Sequence, residues 1–215
     1  MRPSNFMSRR WYLARNAAAA RAVSARSSIV DLRDKAGSRH DALVLVVFAG
    51  RPGTGKTTLA RRVGSQLKAA VLRIDAIETA IIRSGLATPP VGPVGYLVAG
   101  EVAAGCLAVG TSVVVDAVNP VPAAREGWRG VAAAAGVALR VVEVKLDDVR
   151  EHRRRVEQRQ SDLDGLIVPT WERVRAAEYQ PWDEQRDGVR LVVDGADADD
   201  AVEEILRYVT SPVGS

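Results

Sequence analysis

Cysteine is nearly absent from this 215-residue chain: Cys106 is the only one. A single thiol excludes an intrachain disulfide and any all-cysteine metal site, and its place in the apolar run from Val94 to Val109 marks it as core filler. Such usage suits a reducing compartment, so a cytoplasmic location is expected. Long uncharged apolar stretches are missing too. A membrane span needs about 18–20 such residues, and Glu101 interrupts the longest candidate. No internal repeat is found, and His152 has no His or Cys partner at metal spacing, so it reads as a surface residue. Acidic residues are scarce at one end only. Residues 1–40 carry nine Lys and Arg against two Asp, whereas the rest of the chain holds 21 basic and 24 acidic residues. The pI near 9.6 therefore reports a basic tail on a mildly acidic body. That distribution argues against a nucleic-acid-binding domain.

Within the tail, Ser8-Arg9-Arg10-Trp11-Tyr12-Leu13 has the outline of a twin-arginine export signal. Arg15, Arg21 and Arg26 interrupt the uncharged stretch that such a signal needs. Residues 1–40 read instead as a basic, mobile or partly helical extension without catalytic duty, although an organelle-targeting peptide or a membrane-surface helix has the same composition. Residues 41–215 are long enough for one domain with a substantial core.

From Asp41 onward, strand and helix patterns alternate, as in a parallel sheet covered on both faces. Strands are expected over Ala42–Ala49, Ala70–Ile74, Thr111–Asp116, Leu139–Leu146 and Val189–Val193. The first is continuously apolar, as a central strand buried on both faces must be. Helices are expected over Lys56–Lys68, Ala76–Arg83, Gly95–Val109, Pro122–Ala135, Asp147–Gln160 and Thr170–Tyr179, with a last one opened by Asp197–Asp200. The fold class is α/β: a three-layer sandwich with a five-stranded, mainly parallel sheet. Two irregular loops, Gly85–Pro93 and Ser161–Pro169, are candidates for acceptor contact and for a small lid.

Between the first strand and the first helix stands Gly50-Arg51-Pro52-Gly53-Thr54-Gly55-Lys56-Thr57, followed by Thr58. A glycine-rich turn that leaves a buried strand and opens a helix points several backbone N–H groups inward, with the helix dipole behind them. That arrangement cradles phosphates. Lys56 would bridge the β- and γ-phosphates of ATP, and Thr57 would ligate Mg²⁺.

Beyond this loop, three further stretches matter: Val71-Leu-Arg-Ile-Asp75-Ala-Ile, Gly110-Thr-Ser-Val-Val-Val-Asp116-Ala with Arg125 further on, and Arg155-Val-Glu-Gln-Arg159. With them the chain resembles AAA-type ATP-binding proteins and the small P-loop kinases, among them gluconate kinase, chloramphenicol phosphotransferase and the zeta-toxin kinases. The resemblance covers nearly all of residues 43–194. It implies a P-loop NTPase sandwich and transfer of the γ-phosphoryl of ATP to a hydroxyl of a small molecule. It also gives Asp75 the role of base, and a helix-capping role for Asp75 stays open beside it.

Asp116 ends an apolar strand where a Walker-B-like acid would support Mg²⁺. Arg155 and Arg159, at i,i+4 spacing, could clamp the transferring charge, and a solvated helix with a Glu151–Arg155 pair is the plainer alternative. Glu78 departs from the resemblance, since many members carry arginine there. A carboxylate suits a cationic or hydroxyl-rich acceptor better than an anionic one, and a plain helix-capping role for Glu78 stays open beside that. Tyr96, Asn119 and Arg125 complete the candidate acceptor contacts, Tyr96 beside Gly85–Pro93. Two other functions compete: a nucleotide-dependent regulator with slow ATPase, and a toxin-like or polynucleotide kinase.

Overall fold

The computed structural model describes residues 43–212. The expectations for residues 1–40, and for the first residue of the first strand, Ala42, lie outside them. Five strands form one sheet: β1 (Val44–Ala49), β2 (Ala70–Arg73), β3 (Val113–Asp116), β4 (Ala138–Lys145) and β5 (Leu191–Asp194). Their order is β2-β3-β1-β4-β5 and every pairing is parallel. The helices are α1 (Lys56–Gln66), α2 (Ile74–Arg83), α3 (Val94–Ala108), α4 (Pro122–Ala135), α5 (Val149–Gln158), α6 (Trp171–Ala176), α7 (Glu184–Asp187) and α8 (Ala198–Thr210).

The unbroken apolar run of β1 has a direct cause. Val44, Val46 and Phe48 face a core shared with Leu59 and Val63 of α1 and Val202, Ile205 and Val209 of α8. Leu45 and Val47 face a second core with Ala99, Ala103 and Leu107 of α3 and Trp128 of α4. Alternate side chains on a strand point to opposite faces, so a strand buried on both can afford no polar residue. Each fully buried Val or Leu contributes roughly 1.5–3 kcal/mol.

Local signals fix several boundaries. Pro122 opens α4 and Gly136, at φ 64°, closes it, the usual division of labour between these two residues. Asp148 caps α5 and Asp197 caps α8. Two expected helix ends need correction, and one helix was not expected. α5 ends at Gln158, which leaves Arg159 outside the helix in extended backbone. α6 stops at Ala176, because Ala177 turns extended. α7, a single turn capped by Asp183, is too short to leave a periodic pattern.

Sequence neighbours of β1 do not flank it; β3 and β4 do. The C-terminal ends of β1 and β3 thus open onto a crevice where the strand order reverses, a place where ligands commonly sit in open α/β sheets.

Candidate active site

Gly50, at φ 130°, leaves β1 so close to the sheet that a Cβ would lie 2.3 Å from the Val144 carbonyl oxygen. Its N–H donates to the Val118 carbonyl at 3.1 Å, tying the loop to the segment after β3. Gly55 stands at φ 98° as the residue preceding α1, and no side chain caps that helix. The first N–H groups of α1 are therefore left facing the loop.

Later segments wall this loop in. His152 bonds through Nε2 to the Pro52 carbonyl at 2.8 Å and meets the Trp171 ring edge-on at 5.2 Å. A Cβ on Gly195, beyond β5, would fall 1.9 Å from the Thr54 carbonyl oxygen. Arg51 turns outward to donate to the Val174 carbonyl at 2.6 Å. His152 is buried, so its expected surface position is corrected.

Lys56 is buried and donates to the Arg51 carbonyl at 2.8 Å. Among the described residues it has no ion-pair partner within 4 Å. Burial lowers its pKa to about 8, and the fields of Asp116 and Asp75 only partly offset that. A buried ammonium with no counter-ion in contact is a site for an anion.

The loop opens into a cleft of about 730 Å³. Lys56, Thr57 and Thr58 line it, with Asp75 and Glu78 from α2, Asp116 from β3, Arg155 and Arg159, and the lid residues Asp162, Leu166, Ile167 and Pro169. Asp75 sits in the first turn of α2 but caps nothing: that helix has no side-chain cap. Its carboxylate instead faces Arg73 at 3.5 Å and Arg159 at 3.7 Å.

The arginine pair is not assembled as the spacing suggested. Arg155 bonds Glu151 at 2.7 Å and the Gly195 and Ala196 carbonyls at 2.7 and 3.2 Å. Arg159, past the helix end, turns to Asp75. Leaving the helix cancels the i,i+4 alignment.

Three of the candidate acceptor contacts are placed elsewhere. Asn119, at φ 52°, is buried and donates from Nδ2 to the Phe48 carbonyl at 2.8 Å, while its Oδ1 accepts from Trp128 Nε1 at 3.0 Å. Tyr96 Oη accepts the Asn119 backbone N–H at 3.1 Å. The Arg125 and Asp187 side chains are each 1% exposed and pair at 2.6 Å. Arg125 also donates to the carbonyls of Asn119 and Gln180 and stacks on Trp182. These residues fasten the turn after β3 and the segment from Tyr179 to Asp187 to the sheet, and they do not line the cleft. Nor does Gly85–Pro93.

A protein-family profile, AAA_33, described as an AAA domain, matches residues 45–177. The chain belongs to that family. Solved structures of small P-loop kinases share the fold of this AAA domain. The APS kinase CysC of Mycobacterium tuberculosis, in complex with AMPPNP and APS, is 23% identical, with a TM-score of 0.58 over 79% of this chain and 99% of that one. A gluconokinase from Sinorhizobium meliloti is 17% identical, with a TM-score of 0.52 over 80% and 93%. Kti12 of Chaetomium thermophilum, in complex with ADP-AlF3, is 17% identical, with a TM-score of 0.56 over 77% and 98%. At these identities the likeness is one of fold. Comparison with curated proteins finds no match. No helix among the described residues is long and apolar enough to cross a membrane.

Two residues of this AAA domain's cleft lie in stretches that the sequence marks, Arg73 in the one ending β2 and Asp162 in the loop Ser161–Pro169, but neither is marked individually. Arg73, at the end of β2, is buried and donates from Nη1 to both oxygens of Asp162 at 2.8 Å; Arg61 of α1 bonds the same carboxylate at 2.6 Å. These bonds, that to Arg73 foremost, lower the Asp162 pKa to about 2.

Glu78 is the opposite case. It packs over Gly95, where a Cβ would touch its Cγ at 2.6 Å, and no cation pairs with it among the described residues. Burial, reinforced by Asp75, raises its pKa to about 7. A carboxyl whose folded pKa exceeds its unfolded value contributes stability below the unfolded value and loses it as pH rises through the folded one. A Glu78→Gln variant should therefore be more stable than the parent at pH 8, by about 2 kcal/mol, with the gap closing near pH 4.5. Thermal melts at both pH values check this; an equal gap at both would mean that the buried charge of Glu78 is not its source.

Proposed function

We propose that residues 41–215 form an ATP- and Mg²⁺-dependent kinase acting on a hydroxyl of a small molecule. Asp75 carries the reading. It is a carboxylate in the first turn of a helix that it does not cap, held in one cleft with the phosphate-loop lysine. The buried, counter-ion-free Lys56 and the uncapped start of α1 fit a polyphosphate, and the APS kinase and Kti12 structures carry nucleotides in the same fold. Thr57 and Asp116 supply the hard oxygen donors that suit Mg²⁺, which usually takes few protein ligands beside phosphates and water. When bound, Mg²⁺ would neutralise phosphate charge.

The reaction then runs as an in-line displacement. The acceptor oxygen bonds to the γ-phosphorus, the bond to the β–γ bridging oxygen breaks, and ADP departs with that electron pair. The hydroxyl proton passes to the Asp75 carboxylate and on to solvent. Gly50–Thr58 hold the nucleotide, Lys56 balances the β- and γ-oxygens, and Arg159 orients Asp75 from the lid side. Arg155 is assigned a positioning role, since its guanidinium is engaged in holding the Gly195 turn against the loop. Residues 1–40 supply none of these groups.

The test is ADP release with ATP, Mg²⁺ and a metabolite extract, with products identified by mass spectrometry. Acceptor-dependent release is expected, with Asp75→Asn slower by about 10²–10⁴-fold. Release that needs no acceptor would favour a slow ATPase regulator instead, and unchanged turnover in Asp75→Asn would take the proton elsewhere.

A further inference from the structure

Among the described residues, Glu78 is the one carboxylate lining the cleft that has no charged partner. Asp75 has Arg73 at 3.5 Å and Arg159 at 3.7 Å, Asp116 has Arg73 at 3.7 Å, and Asp162 has Arg73 at 2.8 Å and Arg61 at 2.6 Å. The Glu78 carboxyl has no hydrogen bond there either. Nor does it cap α2, which has no side-chain cap, so the plain capping role is set aside. The cations of the cleft are engaged elsewhere: Arg61 and Arg73 by Asp162, Arg159 by Asp75, and Arg155 by Glu151. Lys56 is assigned to phosphate.

The place of this lone carboxyl is built. Gly95, buried in the first turn of α3, lies against it, and a Cβ there would come within 2.6 Å of the Glu78 Cγ and 2.8 Å of its Oε1. A larger residue at 95 would push the carboxyl aside. Asp75 and Glu78 are three residues apart on α2, so they share a helix face with their Cβ atoms about 5–6 Å apart, and both line the cleft. Holding Glu78 there has a cost, because burial disfavours its charge and Asp75 repels it. A titratable group held in a cleft at such a cost is a candidate for ligand contact.

We infer that the acceptor is an amino alcohol, whose protonated amine pairs with Glu78 while its reacting hydroxyl faces Asp75. The inference rests on the kinase reading of this cleft and adds the acceptor's chemical class. The helix spacing places the amine roughly two or three bonds from the carbon that bears the hydroxyl. An ammonium in that position lies between two carboxylates that otherwise repel, and it makes charge-assisted hydrogen bonds. A neutral hydroxyl there would donate to Glu78 and leave the repulsion in place. Of the two acceptor types that a carboxylate at this position suits, the cationic one is therefore favoured. Glu78 is a specificity residue in this account and takes no part in moving the phosphoryl group.

The test divides a metabolite extract on a sulfonate cation exchanger at about pH 3, where amines are cations and most carboxylic acids are largely uncharged. The full chain with ATP and Mg²⁺ is then assayed for ADP release with the whole extract, the retained fraction and the flow-through, each returned to neutral pH. The retained fraction should support release, and mass spectrometry of its phosphorylated product should show a basic nitrogen near the new phosphate. Release supported by the flow-through alone, or a product without such a nitrogen, would overturn the inference. With the active fraction, Glu78→Gln should raise the acceptor KM at least about tenfold, with a smaller effect on kcat. An unchanged acceptor KM would also overturn it, as would an equal rise in the KM for ATP, which would mark Glu78 as structural. Absence of acceptor-dependent release even with the whole extract would count against the kinase reading itself, and it would be seen before any fraction is compared.

Discussion

An Arg125→Met variant is expected to lose about 3–5 kcal/mol of stability, measured as a lower urea midpoint. The residue lies far in sequence from its partner and outside the cleft, yet its guanidinium is among the most completely buried charges among the described residues. Removing it takes the one fully buried cation from Asp187, whose carboxyl is held well below its usual range despite burial by bonds from Arg186, the Asp183 backbone and Arg125, and leaves it only the half-exposed Arg186 as a charged partner. A global stability of roughly 5–15 kcal/mol leaves little margin for such a loss. Removing both charges, as Arg125→Met with Asp187→Leu, should recover much of it, since a buried pair is replaced by apolar contact rather than broken. No recovery would mean that the carbonyl bonds of Arg125, rather than its ion pair, hold the segment.

The second large effect concerns Lys56. Lys56→Met should lower kcat by about 10²–10³-fold, the scale for losing one preorganised charge at a transferring group. The parent carries a further signature. With the Lys56 pKa near 8 in the free protein, binding a polyphosphate favours the ammonium and draws in a proton when the pH is above that value. ATP affinity should thus fall by up to about tenfold per pH unit above 8 and level off below it. Calorimetry in buffers of different ionisation enthalpy at pH 8.5 would show proton uptake in the parent and none in Lys56→Met. Uptake in both would assign the proton to another group.

Much of this architecture could be read before any coordinates. The β1 run, Pro122 and Gly136 around α4, and the aspartate opening α8 are local signals with local causes. So was the phosphate loop, which owes its character to glycines and one lysine. The cleft's other half was less legible for a physical reason. Apolar burial repeats along an element and leaves a period; a charge pair leaves none. Arg73 meets Asp162 across 89 residues and Arg125 meets Asp187 across 62. Each partner alone reads as an ordinary charged residue. Arg155 and Arg159 show the converse, since helical spacing suggests alignment only while the helix lasts.

The contact between Gly195 and Thr54 bears on how the protein is made. The eight-residue motif leaves the ribosome early, but the walls that shape it come from His152 and from the turn after β5. A nascent chain that ends short of Gly195 holds the motif without its enclosure. The capacity to hold a nucleotide should therefore arise late in synthesis, after most of the domain has emerged, and fragments cut before β5 should carry the signature in sequence and not in function.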